Sequence, residues 1–290
     1  MSKLVIRLVL ALVFALFGLI SYLGSTAENP VTGETQRVQL SYEQEVILGQ
    51  QGASEVANQF GGFYPDDQLQ AYIDAVGQQV VQQSTASQLP YPYEFHLLGD
   101  AETVNAFALP GGQIFITLAL LARLNAEAQL AGVLGHEVAH VVARHGAEQI
   151  ARQQFGALLV QAFGIAASDN PDQGQQAAMI AQVVNQLVNL SYGREDELES
   201  DRLGFEFMVD AGYDPQGIVE LMAILNAAQP DGQPPEFLSS HPNPANRIER
   251  LQALIVQIFP DGVPPQLAMG ESDFIQIVQP RLPSALEGAQ

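Results

Sequence analysis

Through most of the chain apolar residues recur every three or four positions, and in one short region they alternate with polar ones. Ser41, with Glu43 and Glu45 in the first turn, opens a helix carrying Val46, Ile47, Ala53, Val56 and Phe60, which stops at Gly61-Gly62. Pro65-Asp66-Asp67 opens a second, in which Leu69, Tyr72, Ile73, Val76 and Val80 keep the helical period to about Gln83. Tyr93, Phe95 and Leu97 then alternate with Glu94 and His96, which predicts a short strand with His96 toward solvent. Asn105 to Leu109 predicts a second strand, Pro110-Gly111-Gly112 a turn and Gln113 to Thr117 a third, together a small antiparallel sheet.

Helical spacing resumes from Thr117 to Leu124 and then in a long run from about Asn125, its cap, to Gln154. Leu130, Val133, Leu134, Val138, Val141 and Val142 give the long helix its apolar surface, while Gly132, Gly135, Ala139 and Ala143 admit close neighbours. Residues 155–190 read as two helices around a loop at Ser168-Asp169-Asn170-Pro171, which would wall a site or simply pack. Gly193 opens an acidic helix, Pro215 to Ala227 forms another, Gln229 to Pro235 is a loop, and a helix runs from Ala245 through Ile248, Leu251 and Leu254. The tail beyond Phe259 holds one strand-like run, Phe274 to Val278.

The 47% hydrophobic content of 290 residues suffices for one sizeable core or two small ones. With 11 Lys+Arg against 32 Asp+Glu the net charge is -21, which argues against nucleic acid as a partner. The lack of Cys removes disulfides and thiolate metal sites. Lys3 and Arg7 precede the apolar run Leu8 to Ile20 and the small residues Ser25 and Ala27, the pattern of an export signal. It is either cleaved before Glu28 or, since Leu4 to Leu23 measures about 20 residues, kept as a membrane anchor. Both outcomes send the body to the periplasm or cell envelope. Asn-Pro and Thr-Gly pairs make residues 28–40 an irregular linker.

The chemistry gathers at Gly135-His136-Glu137-Val138-Ala139-His140. Four residues apart on a helix, His136 and His140 share a face and can converge on one cation, with Glu137 beside it as a base. Two core histidines satisfied by hydrogen bonds would also fit those letters. On the acidic helix, Glu195, Glu199, Arg202 and Glu206 form a stripe suited to solvent, and Glu197, Asp201, Gly204 and Met208 a stripe that turns inward. Glu197 then reads as the interior carboxylate, costly to bury without a partner, which a dication between the helices would supply, although an Arg-paired surface helix also fits these letters. Asp201 can accept the second ring N–H of a ligand histidine. The longer pattern H-E-x-x-H-x-x-G-x-x-H fails, because Ala143 and Gly146 stand where it needs Gly and His. His145, nine residues beyond His136 on a continuous helix, falls on the opposite face and reads as a surface or helix-end residue.

Together these residues resemble the HtpX and CAAX prenyl protease family of membrane-associated zinc metallopeptidases, in particular its small exported bacterial members. The likeness runs from about Ser41 to Leu254 through Asn105-Ala106-Phe107-Ala108-Leu109-Pro110-Gly111-Gly112, the H-E-x-x-H, the E-x-x-x-D from Glu197 to Asp201, and Ser240-His241-Pro242 with Arg247-Ile248. It implies a mainly helical α/β fold of zincin type, with the small antiparallel sheet packed on the H-E-x-x-H helix. It further implies Glu197 as third ligand, beside His136 and His140, to one Zn2+ per chain, and a substrate backbone laid along Asn105, Ala106, Phe107 and Ala108. Edge-strand addition would suit such a sheet, although a purely structural hairpin accounts for the same residues. The expected organisation is a signal peptide or anchor (1–27), the linker (28–40), a zinc metallopeptidase domain (41–256) and a tail (257–290).

The activity expected is endopeptidase cleavage of misfolded or misassembled exported proteins, with the membrane as a further partner if the N-terminal segment is retained. Zinc lowers the pKa of a water to about 7 and polarises the scissile carbonyl. Glu137 takes the proton of the attacking water and hands it to the leaving amine. His241 either donates to the oxyanion or fills the open zinc position in the idle enzyme. Integral members of the family have several membrane spans and this chain at most one, so removal of prenylated tripeptides is not expected. The competing reading is a binding or chaperone module of the envelope whose structural zinc is closed by His241.

Overall fold

The computed structural model describes residues 22–153, 191–227, 235–241 and 246–286, with isolated positions between 9 and 20. The helices and loop expected over 155–190, nearly all of the loop from Gln229, and Pro242-Asn243-Pro244 lie outside the described residues, as does most of the segment 1–27.

Residues 28–40, expected as an irregular linker, include part of an antiparallel pair, β1 (Thr26–Glu28) and β2 (Thr35–Arg37), with Thr26 opposite Arg37. Asn29 Nδ2 donates to Val142 O at 2.7 Å and Gln36 Nε2 donates to Ala143 O. The pair thus satisfies carbonyls that the end of the histidine helix leaves open. Helix α1 (Tyr42–Gln59) starts at a reciprocal box: Ser41 Oγ accepts from Gln44 N–H and Gln44 Oε1 accepts from Ser41 N–H. It stops where Gly61 and Gly62 take φ of 77° and 80° and Gly62 N–H reaches back to Ala57 O at 2.7 Å. Helix α2 (Asp67–Gln83) is capped by Asp66, and its predicted face of Leu69, Ile73, Val76 and Val80 is buried.

Strands β3 (Glu94–Leu98), β4 (Ala106–Leu109) and β5 (Gln113–Thr117) form one sheet in the order β3-β5-β4. The hairpin β4-β5 is antiparallel as its glycine turn predicts, but β3 runs parallel to β5, with Phe95 opposite Ile114. The sheet is therefore mixed rather than antiparallel, because β5 inserts between β3 and β4 instead of β4 folding straight back on β3. Both faces are covered. Phe95, Leu97, Ala106, Ala108, Ile114 and Ile116 join the main core, and Phe107, Leu109 and Phe115 pack under α1 with Val56. His96 is half-buried on that second side, stacked on Phe115 and bonded through Nε2 to Gln113 Oε1 at 2.8 Å.

After the single turn α3 (Leu118–Leu121) comes the central helix α4 (Glu127–Val142), buried at every position from Ala128 onward. Its cap position is Ala126; Asn125 pairs with the Gln129 side chain instead, and Ala128 N–H finds Met269 O. The helix does not continue to Gln154. It ends at Val142, Arg144 adopts φ 56°, and residues 145–153 are helical again after that break.

Two helices grip α4 at its small residues. On α5 (Arg194–Asp210), a Cβ at Gly204 would lie 3.0 Å from His136 N, and one at Gly135 would lie 3.2 Å from Gly204 O. On α6 (Gln216–Ala227), a Cβ at Gly217 would meet the Ala128 backbone at 2.6 Å. Backbone-to-backbone approach of this kind is open only to glycine and fixes the crossing points. Helices α7 (Glu236–Ser240), α8 (Arg247–Ile258) and α9 (Glu271–Val278) complete the described residues. The run Phe274 to Val278, expected to be strand-like, is helical in α9 because Phe274 and Val278, four apart, bury one helix face.

Candidate metal centre

The close crossing of α4 and α5 faces the first turn of one helix toward the last turns of the other. His136 and His140 lie one turn apart on α4 with their Nε2 atoms 3.1 Å from each other. Glu197, in the first turn of α5, places Oε2 3.5 Å from His136 Nε2 and Oε1 3.5 Å from His140 Nε2. His241, just past α7, brings Nδ1 to 3.4 Å from His136 Nε2 and 3.0 Å from Glu197 Oε1. The four donors lie within 4.8 Å of one another and all four residues are buried.

This spacing fits zinc. Ligand atoms bound at 2.0–2.1 Å in a tetrahedron stand about 3.3–3.4 Å apart, and the five contacts given above run from 3.0 to 3.5 Å within the 4.8 Å span of the four donors. The protonation chemistry agrees. Nitrogens 3.1 Å apart cannot both hold a proton between them, so the pair splits. Burial depresses His136, but the carboxylates of Asp201 and Glu197 outweigh it and push its pKa up to about 9. His140 is held well below 6.5, chiefly by burial. Burial raises Glu197, yet the three surrounding histidines leave it well below its ordinary value. One cation would satisfy every one of these facing lone pairs.

Glu137 lies on the next position of α4, fully buried, and neither of its oxygens has a hydrogen-bond partner among the described residues. Burial pushes its pKa up, with His241 and His136 opposing. Its Oε1 is 3.5 Å from His241 Nε2. Asp201 Oδ1 lies 3.2 Å from His136 Nδ1, on the side away from Glu197.

The sequence reading gave several neighbours no role at the site. Arg247 is buried, gives Asp201 two hydrogen bonds at 2.7 and 2.6 Å, and sets Nη1 2.9 Å from Glu197 Oε2. A chain so poor in cations, asked what balances Asp201 and Glu197, would have pointed to it. Tyr192 stacks on His140 with ring centroids 4.0 Å apart, and Phe237 stacks on His241 at 4.5 Å; neither carries a periodic signal. His145, read as a surface or helix-end residue, is at a helix end but buried, with Nδ1 3.0 Å from His140 Nδ1. The opposite-face estimate assumed a continuous helix, and the turn at Ala143-Arg144 removes that assumption. Glu199, assigned to a solvent stripe, reaches His145 Nε2 at 3.1 Å.

Of the strand residues, Asn105 O accepts from Thr117 N–H at 3.0 Å and Phe107 faces Phe115. Alternation along an antiparallel pair then turns the main-chain groups of Ala106 and Ala108 to the other edge. Ala108 also lines a small recess with Leu109, Pro110, His140, Arg144 and Tyr192, so β4 reaches the histidines. The Phe107 side chain points away from the site, into the cluster under α1.

Fold and donor set together define a zinc metallopeptidase domain. The chain belongs to peptidase family M48, which matches residues 67–255 and whose members use zinc. Its relatives include the beta-barrel assembly-enhancing protease of Escherichia coli, 31% identical over 243 residues that cover 79% of this chain and 48% of that protein. The mitochondrial metalloendopeptidase OMA1 of Schizosaccharomyces pombe is 30% identical over 229 residues, 77% of this chain and 64% of that protein. OMA1 of Arabidopsis thaliana is 33% identical over 156 residues, 51% of this chain and 29% of that protein. The chain thus spans about half to two thirds of the first two relatives.

Proposed function

We propose that the chain is a zinc-dependent endopeptidase that hydrolyses misfolded or misassembled proteins of the cell envelope. The observation that carries the reading is Glu137, a buried carboxylate without a hydrogen-bond partner among the described residues, beside donors spaced for zinc. His136, His140 and Glu197 would hold the zinc, which when bound would supply Lewis acidity for the scissile carbonyl and for a water near neutral pH. Glu137 receives the proton of the attacking water and passes it to the leaving amine, and its burial makes it a stronger base than a surface carboxylate. Asp201 holds the far nitrogen of His136, and Arg247 holds Asp201. The main-chain edge at Ala106 and Ala108 is suited to an extended substrate backbone, a mode of binding that tolerates many side chains.

His241 lies at ligand spacing and stacks on Phe237, which supports a role as the fourth zinc ligand of the idle enzyme, displaced when substrate enters. An envelope location rests on the sequence of the N-terminal segment and on the relative named for β-barrel assembly. Among the described residues no helix is long and apolar enough to cross a membrane. The test is cleavage of an unfolded protein such as casein. Wild type should cleave it in a chelator-sensitive way, and Glu137→Gln should keep zinc and lose cleavage; equal turnover by the variant would end the reading. The four-donor closure also favours a second one, a chaperone module with structural zinc. Client binding by wild type without any cleavage, with zinc lost from His241→Ala and no cleavage gained, would select it.

A further inference from the structure

We propose that His145, anchored by Glu199, is a positioning residue for the metal ligand His140, the three forming one hydrogen-bonded chain from the rim of α5 to the zinc site. The proposal rests on the zinc-peptidase reading above and adds a part to it.

The geometry begins with the turn after α4. On a continuous helix His145 would face away from His140, but Arg144 at φ 56° redirects the chain and returns His145 to its neighbour. That turn is pinned. Arg144 Nε donates to Glu45 Oε1 at 2.9 Å and Nη2 donates to Leu40 O at 2.7 Å, while Tyr91 OH donates to Glu45 Oε2 at 2.6 Å. His145 is thereby held with Nδ1 3.0 Å from His140 Nδ1 and Nε2 3.1 Å from Glu199 Oε2. Ser200 Oγ stands 3.4 Å from His145 Nδ1, and Asp196 Oδ1 4.0 Å from Nε2.

The hydrogens along this chain have one consistent arrangement. His140 turns Nε2 toward His136 and Glu197, so a metal takes Nε2 and the ring hydrogen sits on Nδ1. That N–H needs an acceptor, which is His145 Nδ1. His145 then carries its hydrogen on Nε2 and donates it to the Glu199 carboxylate. The chain fixes the tautomer and ring plane of His140 and raises its basicity toward a metal, as a carboxylate does when bonded to a ligand histidine. Asp201 stands in the same relation to His136. Both histidine ligands are thus steadied at the far nitrogen from α5, one directly and one through His145.

The experiment measures metal binding by the full chain: zinc affinity by competition with a chromogenic chelator, and the visible spectrum of the cobalt(II)-substituted protein. His145→Phe keeps an aromatic ring in place but removes both hydrogen bonds, and it should weaken zinc binding about 10- to 100-fold and shift the cobalt bands. Glu199→Gln, at the half-buried rim, should change both readouts in the same direction by less. His145→Asn keeps an acceptor near His140 and should recover part of the loss. Wild-type affinity and spectrum in both His145→Phe and Glu199→Gln would overturn the proposal, and if His145→Phe fails to fold, Glu199→Gln decides alone. Weakened metal binding in the variants of a chain that cleaves no peptide would support the positioning role and overturn only the peptidase reading. A wild-type chain that binds no zinc would overturn both.

Discussion

At Asp201 two opposing effects meet, and their balance makes a pH prediction. Burial raises the carboxyl, but His136 and the two-pronged contact from Arg247 outweigh it and hold it below its ordinary 3.8. A depressed acid binds protons less tightly folded than unfolded, so its stabilising contribution is complete above pH 3.8 and fades as pH falls through the depressed value. Urea unfolding of metal-free wild type and Asp201→Asn, compared below about pH 6 where His136 is protonated in both folded and unfolded chains, should therefore show a wild-type advantage that shrinks as pH falls below 3.8. A gap that widened in acid would contradict the pairing. At His241 the two roles considered from the sequence make opposite predictions. As the resting fourth ligand, its replacement in His241→Ala should raise turnover of a short unstructured peptide, measured by initial rate; as an oxyanion donor it should lower kcat by about 10²-fold. The motif letters made His136, Glu137, His140 and Glu197 legible, because helical periodicity alone tells which positions share a face. Arg247 and Tyr192 were not, since no periodicity links residues that meet only after α4, α5 and α8 pack.

The crossing of α4 and α5 depends on two glycines in contact. Gly204→Ala would place a methyl 3.0 Å from His136 N and 3.1 Å from Gly135 C, backbone atoms that cannot swing aside. The helices must separate, which should cost about 1–3 kcal/mol in urea unfolding and weaken zinc binding, because Glu197 rides on α5. Unchanged metal affinity would mean that the crossing does not set the donor spacing. The turn after α4 offers a second test. Arg144 and Glu45 are both nearly excluded from solvent, and Arg144→Ala would leave the Glu45 carboxylate buried without its partner. The expected loss is about 3–5 kcal/mol, and Glu45→Leu combined with it should recover much of that, as read from a double-mutant cycle. Both elements were half legible. Gly135 and Gly204 stood out as small residues, and the sequence ran α4 on to Gln154 because nothing in the composition at Ala143-Arg144 breaks a helix. The docking of Glu45, of Leu40 O and of the β1-β2 pair holds the turn there. Likewise the glycine turn set the β4-β5 hairpin, whereas β3 took its parallel place through the crossover, which local pattern does not encode.

For the molecule as a whole, the facing donors make stability depend on metal. Chelation should lower the melting temperature, and restoring free zinc to about 100 times its Kd should return roughly 2.7 kcal/mol; a melting curve indifferent to chelator would mean that the cluster holds no metal in the folded chain. The sequence by itself determined the family, the helical character, the caps of α1 and α2, the two histidines with their neighbouring Glu137, and the inward carboxylate Glu197, because caps, turns and one-face periodicity are local properties. The tertiary structure alone decided the mixed order of the sheet, the turn that brings His145 behind His140, the burial of Arg247 against Asp201, and the ligand-like distances from His241 to His136 and Glu197. Each joins residues far apart in the chain, and the distances that give them chemical meaning exist only once helix packing has removed the water between them.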